Sequence, residues 1–123
     1  MTLLPPNINN YNYVLAYIIG YIDGDGCICT YLQKKKYPYI EVSVVGTKEL
    51  TGWIYKFVKN KMKIGNVRPS RQVRKDKNYF VFKMYGRSAC CFVERAIKLR
   101  TPKLERKWLK YEKEKGLLQS IGR

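Results

Sequence analysis

The chain reads as an α+β protein, with a four-stranded antiparallel sheet and helices packed on one of its faces. Three observations predict this. Residues Asn12–Ile22 carry no charge and are apolar almost all round, the pattern of a buried helix. Four later segments alternate apolar and polar residues with the period of half-buried strands. After each strand pair the apolar spacing returns to that of a helix. The order is α-β-β-α-β-β-α-α, and its 123 residues allow one domain, 1–123, around one modest core.

Taken in order, Pro5-Pro6 is extended, and Asn7, Asn9 or Asn10 can cap the first helix. Gly24 and Gly26 end it. In the first strand Ile28, Thr30 and Leu32 alternate with Cys29, Tyr31, Gln33 and Lys35. Lys34-Lys35-Lys36-Tyr37-Pro38 turns the chain into a second strand near Tyr39–Val45, with Ile40, Val42 and Val44 facing the core. Thr47 caps a helix over Lys48–Lys61, whose apolar stripe is Leu50, Ile54, Phe57 and Val58. A third strand spans Val67–Arg74, and its Pro69 marks an edge or a bulge. The turn Lys75–Asn78 leads to a fourth strand, Tyr79–Tyr85. A third helix covers Ser88–Leu99, and Thr101-Pro102 opens a last helix that ends near Gly116.

Charge narrows the function. Twenty-five Lys and Arg against nine Asp and Glu give a net charge of +16. Such an excess points to a polyanion, and to nucleic acid first, because phosphate neutralisation releases condensed counterions. A membrane-surface protein would gather its basic residues on an amphipathic helix, whereas here they spread over strands and loops. No apolar run approaches the roughly 20 residues of a membrane span, and a signal peptide is not expected. The absence of histidine excludes Ser–His and Cys–His catalysis and histidine-base nucleases. Cys27, Cys29, Cys90 and Cys91 lack zinc spacing and read as buried, reduced thiols.

With helices on one face, the other face of the sheet is free. It carries Tyr31, Gln33, Lys35, Glu41, Ser43, Arg68, Ser70 and Lys83, with Arg71 and Arg74 close by. Long polar and basic side chains on stiff strands suit the DNA major groove, where each base pair shows its own donor and acceptor pattern. Lys34, Lys36, Lys75 and Lys77 at the hairpin ends would reach phosphates.

The acids are scarce, so their placement is informative. Ile18-Ile19-Gly20-Tyr21-Ile22-Asp23-Gly24-Asp25-Gly26 ends an apolar helix in two aspartates, each followed by glycine. Carboxylate and carbonyl oxygens gathered there suit a hard divalent cation such as Mg²⁺. Ala16, Gly20 and Gly24 recur every four residues and form a groove that admits another backbone. The pattern points to a partner helix.

This stretch resembles the LAGLIDADG motif of homing endonucleases, and it occurs once. Gly20, Asp23, Asp25 and Gly26 match the pattern, while Ile19 stands where a small residue is usual. The resemblance implies the αββαββα fold with a saddle-shaped sheet. It implies a homodimeric, site-specific DNA endonuclease that makes Mg²⁺-dependent double-strand breaks in a long, pseudo-palindromic site, as in intron homing. Asp25 would hold the metal with help from the Gly24 carbonyl, and Asp23 would support the helix end. Lys103 and Lys98 are the candidate basic residues for phosphate chemistry. The alternatives implied are a maturase-type cofactor of intron RNA splicing and a DNA-binding protein without cleavage. Expected partners are double-stranded DNA, a second copy of the chain and intron RNA, with no membrane. The expected setting is intracellular, either a mitochondrion or chloroplast or a bacterial or phage cytoplasm, and the richness in Lys, Asn, Tyr and Ile fits an AT-rich genome.

Overall fold

A computed structural model describes residues 10–32, 38–75, 77–103 and Trp108. Helix α1 runs Tyr11–Asp25, and Asn10 caps it by accepting from the amides of Asn12 and Tyr13. Strand β1, Gly26–Leu32, follows with no loop. Strand β2, Pro38–Gly46, pairs antiparallel with β1. Helix α2, Lys48–Lys56, is capped by the Thr47 hydroxyl and widens into a π turn over Phe57–Lys61. The short strand β3, Arg71–Gln72, pairs with β4, Phe80–Tyr85, and helix α3 spans Gly86–Lys98. The sheet order is β1-β2-β4-β3, antiparallel throughout.

One face of the sheet is the core. Ile28, Val42 and Met84 sit opposite one another in the ladder, as do Val44 and Phe82, and all five are buried. Ile18, Ile19 and Ile22 of α1, Leu50 and Ile54 of α2, and Phe92, Val93 and Ala96 of α3 complete the cluster. Each fully buried Ile contributes about 1.5–3 kcal/mol of transfer free energy. The predicted inward set Ile40, Val42 and Val44 and the predicted stripe Leu50, Ile54, Phe57 and Val58 are all buried.

Four expectations need correction. The first helix continues to Asp25 rather than ending at Ile22, because Gly24 stays helical and the break falls at Gly26, which is extended at φ −102° and ψ 178°. The third strand is two residues long, not Val67–Arg74. Pro69 has no N–H to give a ladder, and Asn66 shortly before it adopts the left-handed conformation at φ 58°. The predicted edge position does hold, since β3 is outermost. Thr101-Pro102 does not open a helix: Thr101, Pro102 and Lys103 are irregular, and the Thr101 carbonyl accepts from the Lys103 ammonium at 3.2 Å. Trp108 is helical, and the predicted end at Gly116 lies outside the described residues. Finally, Cys27 is exposed and Cys29, Cys90 and Cys91 are half-buried rather than buried.

At Gly26 the fold closes against backbone. A Cβ there would lie 2.7 Å from the Ile22 Cα, a backbone atom that cannot move aside. Gly26→Ala should therefore cost about 1–3 kcal/mol, the range for overpacking. A Cβ at Gly52 in α2 would meet nothing within 4 Å, so Gly52→Ala should gain about 0.5–1 kcal/mol of helix propensity. Urea denaturation midpoints would show the opposite signs, and a neutral Gly26→Ala would contradict the close approach.

Candidate metal site and nucleic-acid interface

The passage from α1 to β1 sets the site. Asp25 is the last helical residue, and its position is exposed. Gly24 precedes it, also exposed, in the final turn, where helix carbonyls lack an intrahelical donor. The C-terminal end of a helix carries partial negative charge that Lys or Arg usually offsets. Here the last turn holds no basic residue, in a chain of net charge +16. The Asp25 carboxylate thus sits at the negative end of the helix dipole, one residue after Gly24. Among the described residues no group of three or more His, Cys, Asp or Glu could hold a metal ion. One chain thus supplies a partial donor set of hard oxygens. That set fits Mg²⁺, which is commonly bound through one or two carboxylates together with waters and phosphate oxygens.

The two aspartates of the motif differ. Asp23 is half-buried and accepts a hydrogen bond from the Trp108 indole Nε1 at 2.8 Å, fixing the helix end to a residue 85 positions away. Lys103 is half-buried near it. Burial lowers the Lys103 pKa, and the charge of Asp23 opposes the fall. The Lys103 ammonium donates to the Leu99 and Thr101 carbonyls. Lys98, the other basic candidate, is exposed in the last turn of α3. Of the two candidates, the structure therefore brings Lys103 within electrostatic reach of the aspartate motif.

Ala16, Gly20 and Gly24 form an open stripe. A Cβ at Gly20 or Gly24 would touch nothing within 4 Å, and Ala16 is half-buried. Tyr13 and Tyr17 continue this face outward, 67% and 42% exposed. Tyr17 stacks edge-on with Trp53 at 5.7 Å between ring centres.

The open face of the sheet is set by the ladder register. Cys27, Ser43 and Lys83 stand side by side, followed by Cys29, Glu41 and Tyr85. The Lys83 ammonium lies 3.8 Å from a Glu41 oxygen. Tyr31 pairs with Tyr39 at the outer end of the ladder. Arg71 and Val81 pair in the adjacent row. Val81 is buried although it faces this side, and it lines a concavity of about 480 Å³ with Asn66, Arg68, Pro69, Arg71, Lys83 and Tyr85. Arg68 therefore joins the face from an irregular segment and not from a strand. Ser70 is half-buried in the same segment. Arg74 is exposed beyond the strand, with its guanidinium 5.6 Å from the Tyr79 ring centre. Lys75 and Lys77 are exposed at the turn, and the Gln72 amide donates to both of their carbonyls. Gln33, Lys34, Lys35 and Lys36 lie outside the described residues.

Sequence reasoning missed several contributors. Tyr85 follows Lys83 by two and shares its alternation. Cys27 and Cys29 are legible as face residues by the same parity. Tyr21 gives no signal: its hydroxyl donates to the Val45 carbonyl across the α1–β2 contact, and it sits where a Gly46 Cβ would come within 2.6 Å of it. Trp108 is too distant in sequence for any pattern to link it to Asp23.

No protein-family model matches the chain, and no curated protein matches it. Solved structures do. The meganuclease I-AabMI, bound to uncleaved DNA, superposes with a TM-score of 0.60 at 16% identity, over 88% of this chain and 36% of its own. I-GzeII, in complex with its DNA target, gives 0.63 at 11% identity, over 99% and 40%. I-CvuI, with its target and calcium, gives 0.53 at 19% identity, over 89% and 66%. The chain thus spans between 36% and 66% of the length of these neighbours. Among the described residues no helix is long and apolar enough to cross a membrane.

Burial first, and the nearby Asp25 charge second, push the Tyr21 phenol above its ordinary value of 10.0. The folded chain then holds this proton more tightly than the unfolded one. The stabilisation is complete below the unfolded value and fades as pH rises through the raised one. Tyr21→Phe should cost about 0.5–1.5 kcal/mol at neutral pH and should flatten the loss of stability above about pH 10. Urea titrations at both pH values test this, and parallel alkaline losses in the two proteins would contradict it.

The order of elements, the single antiparallel sheet with its helices on one face, and these superpositions agree: the chain has the LAGLIDADG homing-endonuclease fold.

Proposed function

We propose that the chain is a homodimeric, site-specific DNA endonuclease that cuts both strands with the aid of Mg²⁺. The observation that carries this reading is the exposed Asp25 at an uncompensated helix C-terminus, beside an open stripe of small residues. The solved neighbours that share the fold were captured on DNA, one of them with calcium. In the dimer, the stripe Ala16, Gly20 and Gly24 of one α1 would lie against its copy. Tyr13 and Tyr17, exposed aromatics on the same helix, would lose their contact with water there. A two-fold contact of this kind is self-complementary and implies a roughly palindromic target.

Each copy then contributes one Asp25 and one Gly24 carbonyl. Bound Mg²⁺ supplies charge stabilisation at the phosphate and a lowered water pKa. The rest is the work of the chain. Asp25 accepts and orients. Asp23, held by Trp108, keeps the helix end in place. Lys103 offers positive charge close to the motif, and its lowered pKa eases release of a proton. The sheet face, with Ser43, Lys83, Tyr85, Arg68 and Arg71, would read base edges, while Lys75 and Lys77 hold phosphates.

The reading is tested with DNA carrying the uninterrupted form of the gene into which the coding element is inserted, with Mg²⁺ or EDTA. A metal-dependent double-strand cut is expected, and Asp25→Asn should abolish it while DNA binding persists. Cutting by Asp25→Asn would place the chemistry elsewhere, and tight binding with no cut by the parent would favour a DNA-binding protein without cleavage. Gly20→Leu, on an open surface, should leave the monomer folded and weaken dimerisation at least about tenfold, or 1.4 kcal/mol, in sedimentation equilibrium. An unchanged dimer would remove α1 from the interface.

A further inference from the structure

Cys27 and Cys29 stand two residues apart on β1 and so point to one side of the sheet. Their sulfurs are 2.9 Å apart. Cys27 is exposed and Cys29 half-buried. The other two thiols, Cys90 and Cys91, pack against the core. Among the described residues no cluster of three or more His, Cys, Asp or Glu could hold a metal ion, so the pair is not part of a zinc site there. Two thiols in contact on an exposed strand are suited to electron chemistry.

We infer that Cys27 and Cys29 are a reversible oxidation site, a dithiol that closes to a disulfide and reopens under reductant. With hydrogen peroxide as oxidant, one sulfur attacks a peroxide oxygen. The O–O bond breaks, leaving a sulfenic acid and one water. The second thiol displaces the hydroxyl, forming the S–S bond and a second water. Two thiols lose two protons and two electrons, and peroxide gains them. A dithiol reductant reverses the step by exchange.

Geometry makes the bond labile. Two residues of strand place the Cα atoms about 6.4–6.8 Å apart, at the upper edge of the roughly 4.4–6.8 Å that disulfides span. Closure must draw residues 27 and 29 together and pucker β1. Gly26, just before the pair, stands so close to the Ile22 backbone that even a Cβ would not fit, which limits movement on that side. The strain falls on the ladder instead, at the Cys27–Ser43 and Cys29–Glu41 pairs. These rows belong to the open face, and Asp25 lies two residues from Cys27. The effect on DNA rests on the function proposed above; the oxidation site itself does not.

The test treats the full chain with dilute peroxide, alkylates it and maps it by mass spectrometry. The peptide holding Cys27 and Cys29 should lose two hydrogen masses, while Cys90 and Cys91 alkylate. Dithiothreitol should restore all four thiols. In the oxidised form the amides of Glu41 and Ser43 should exchange about tenfold faster. Cys27→Ser and Cys29→Ser should each leave the remaining thiol open to alkylation. Unreacted thiols at both positions after treatment, sulfinic acids without a disulfide, or disulfides between chains would each overturn the site. In a DNA titration the oxidised protein should bind about tenfold more weakly, about 1.4 kcal/mol. Equal binding by both forms would overturn the link to the open face. Binding by neither form would count against the DNA reading, and the thiol map would still decide the site.

Discussion

The absence of a loop between α1 and β1 is the constraint on which the rest of the structure depends. The helix ends at Asp25 and the strand starts at Gly26. The strand can leave at that point only because residue 26 has no side chain, as a Cβ would stand 2.7 Å from the Ile22 Cα. The same junction ties the buried side of α1, through Ile18, Ile19 and Ile22, to the core face of the sheet. It leaves Asp25 no freedom to drift away along a linker. A carboxylate position is thereby set by core packing, the most rigid part of the molecule. A site needing sub-ångström placement benefits from this kind of support.

Electrostatics then separates two residues that look alike in sequence. Asp23 and Asp25 are both motif acids, yet the first has a specific indole donor and a lysine nearby, and the second is exposed at the helix end. An acid already held by a hydrogen bond has less capacity for a metal than one that points to water. The helix end adds its own partial negative charge to Asp25. With no Lys or Arg in that turn to neutralise it, the local field opposes the field of the whole chain. A chain of net charge +16 that keeps one end of one helix negative has an electrostatic reason to attract a cation there.

Much of the fold was legible because local pattern and tertiary structure agree. The Thr47 cap and the span 48–61 follow from a hydroxyl before an amphipathic run, and the structure retains both, with a widened turn at Phe57 that no periodicity signals. The inward set of β2 follows from alternation alone. Where sequence failed, one residue's chemistry outweighed pattern. Alternation around Pro69 looks like a strand, but a missing N–H and a left-handed Asn66 limit the strand to two residues. The thiols read as buried because cysteine usually is, whereas the parity of β1 places Cys27 outward. Asp23–Trp108 and Tyr21–Val45 join distant segments, and no local signal encodes such contacts.

The open face also shows how one sheet can serve two needs. Val81 faces outward in the ladder and is nevertheless buried, and it shares a concavity with the irregular segment containing Asn66, Arg68 and Pro69. The concavity is bounded by the basic residues Arg68, Arg71 and Lys83. The Glu41 carboxylate near Lys83 tempers the charge at the centre of the face, while Lys75 and Lys77 at the turn are exposed. On the proposed function this gradient has a use. Exposed lysine charge at the hairpin end favours any phosphate backbone, and partly compensated polar groups at the centre favour a base edge only when donors and acceptors match. Affinity and selectivity would then reside on different parts of the same sheet.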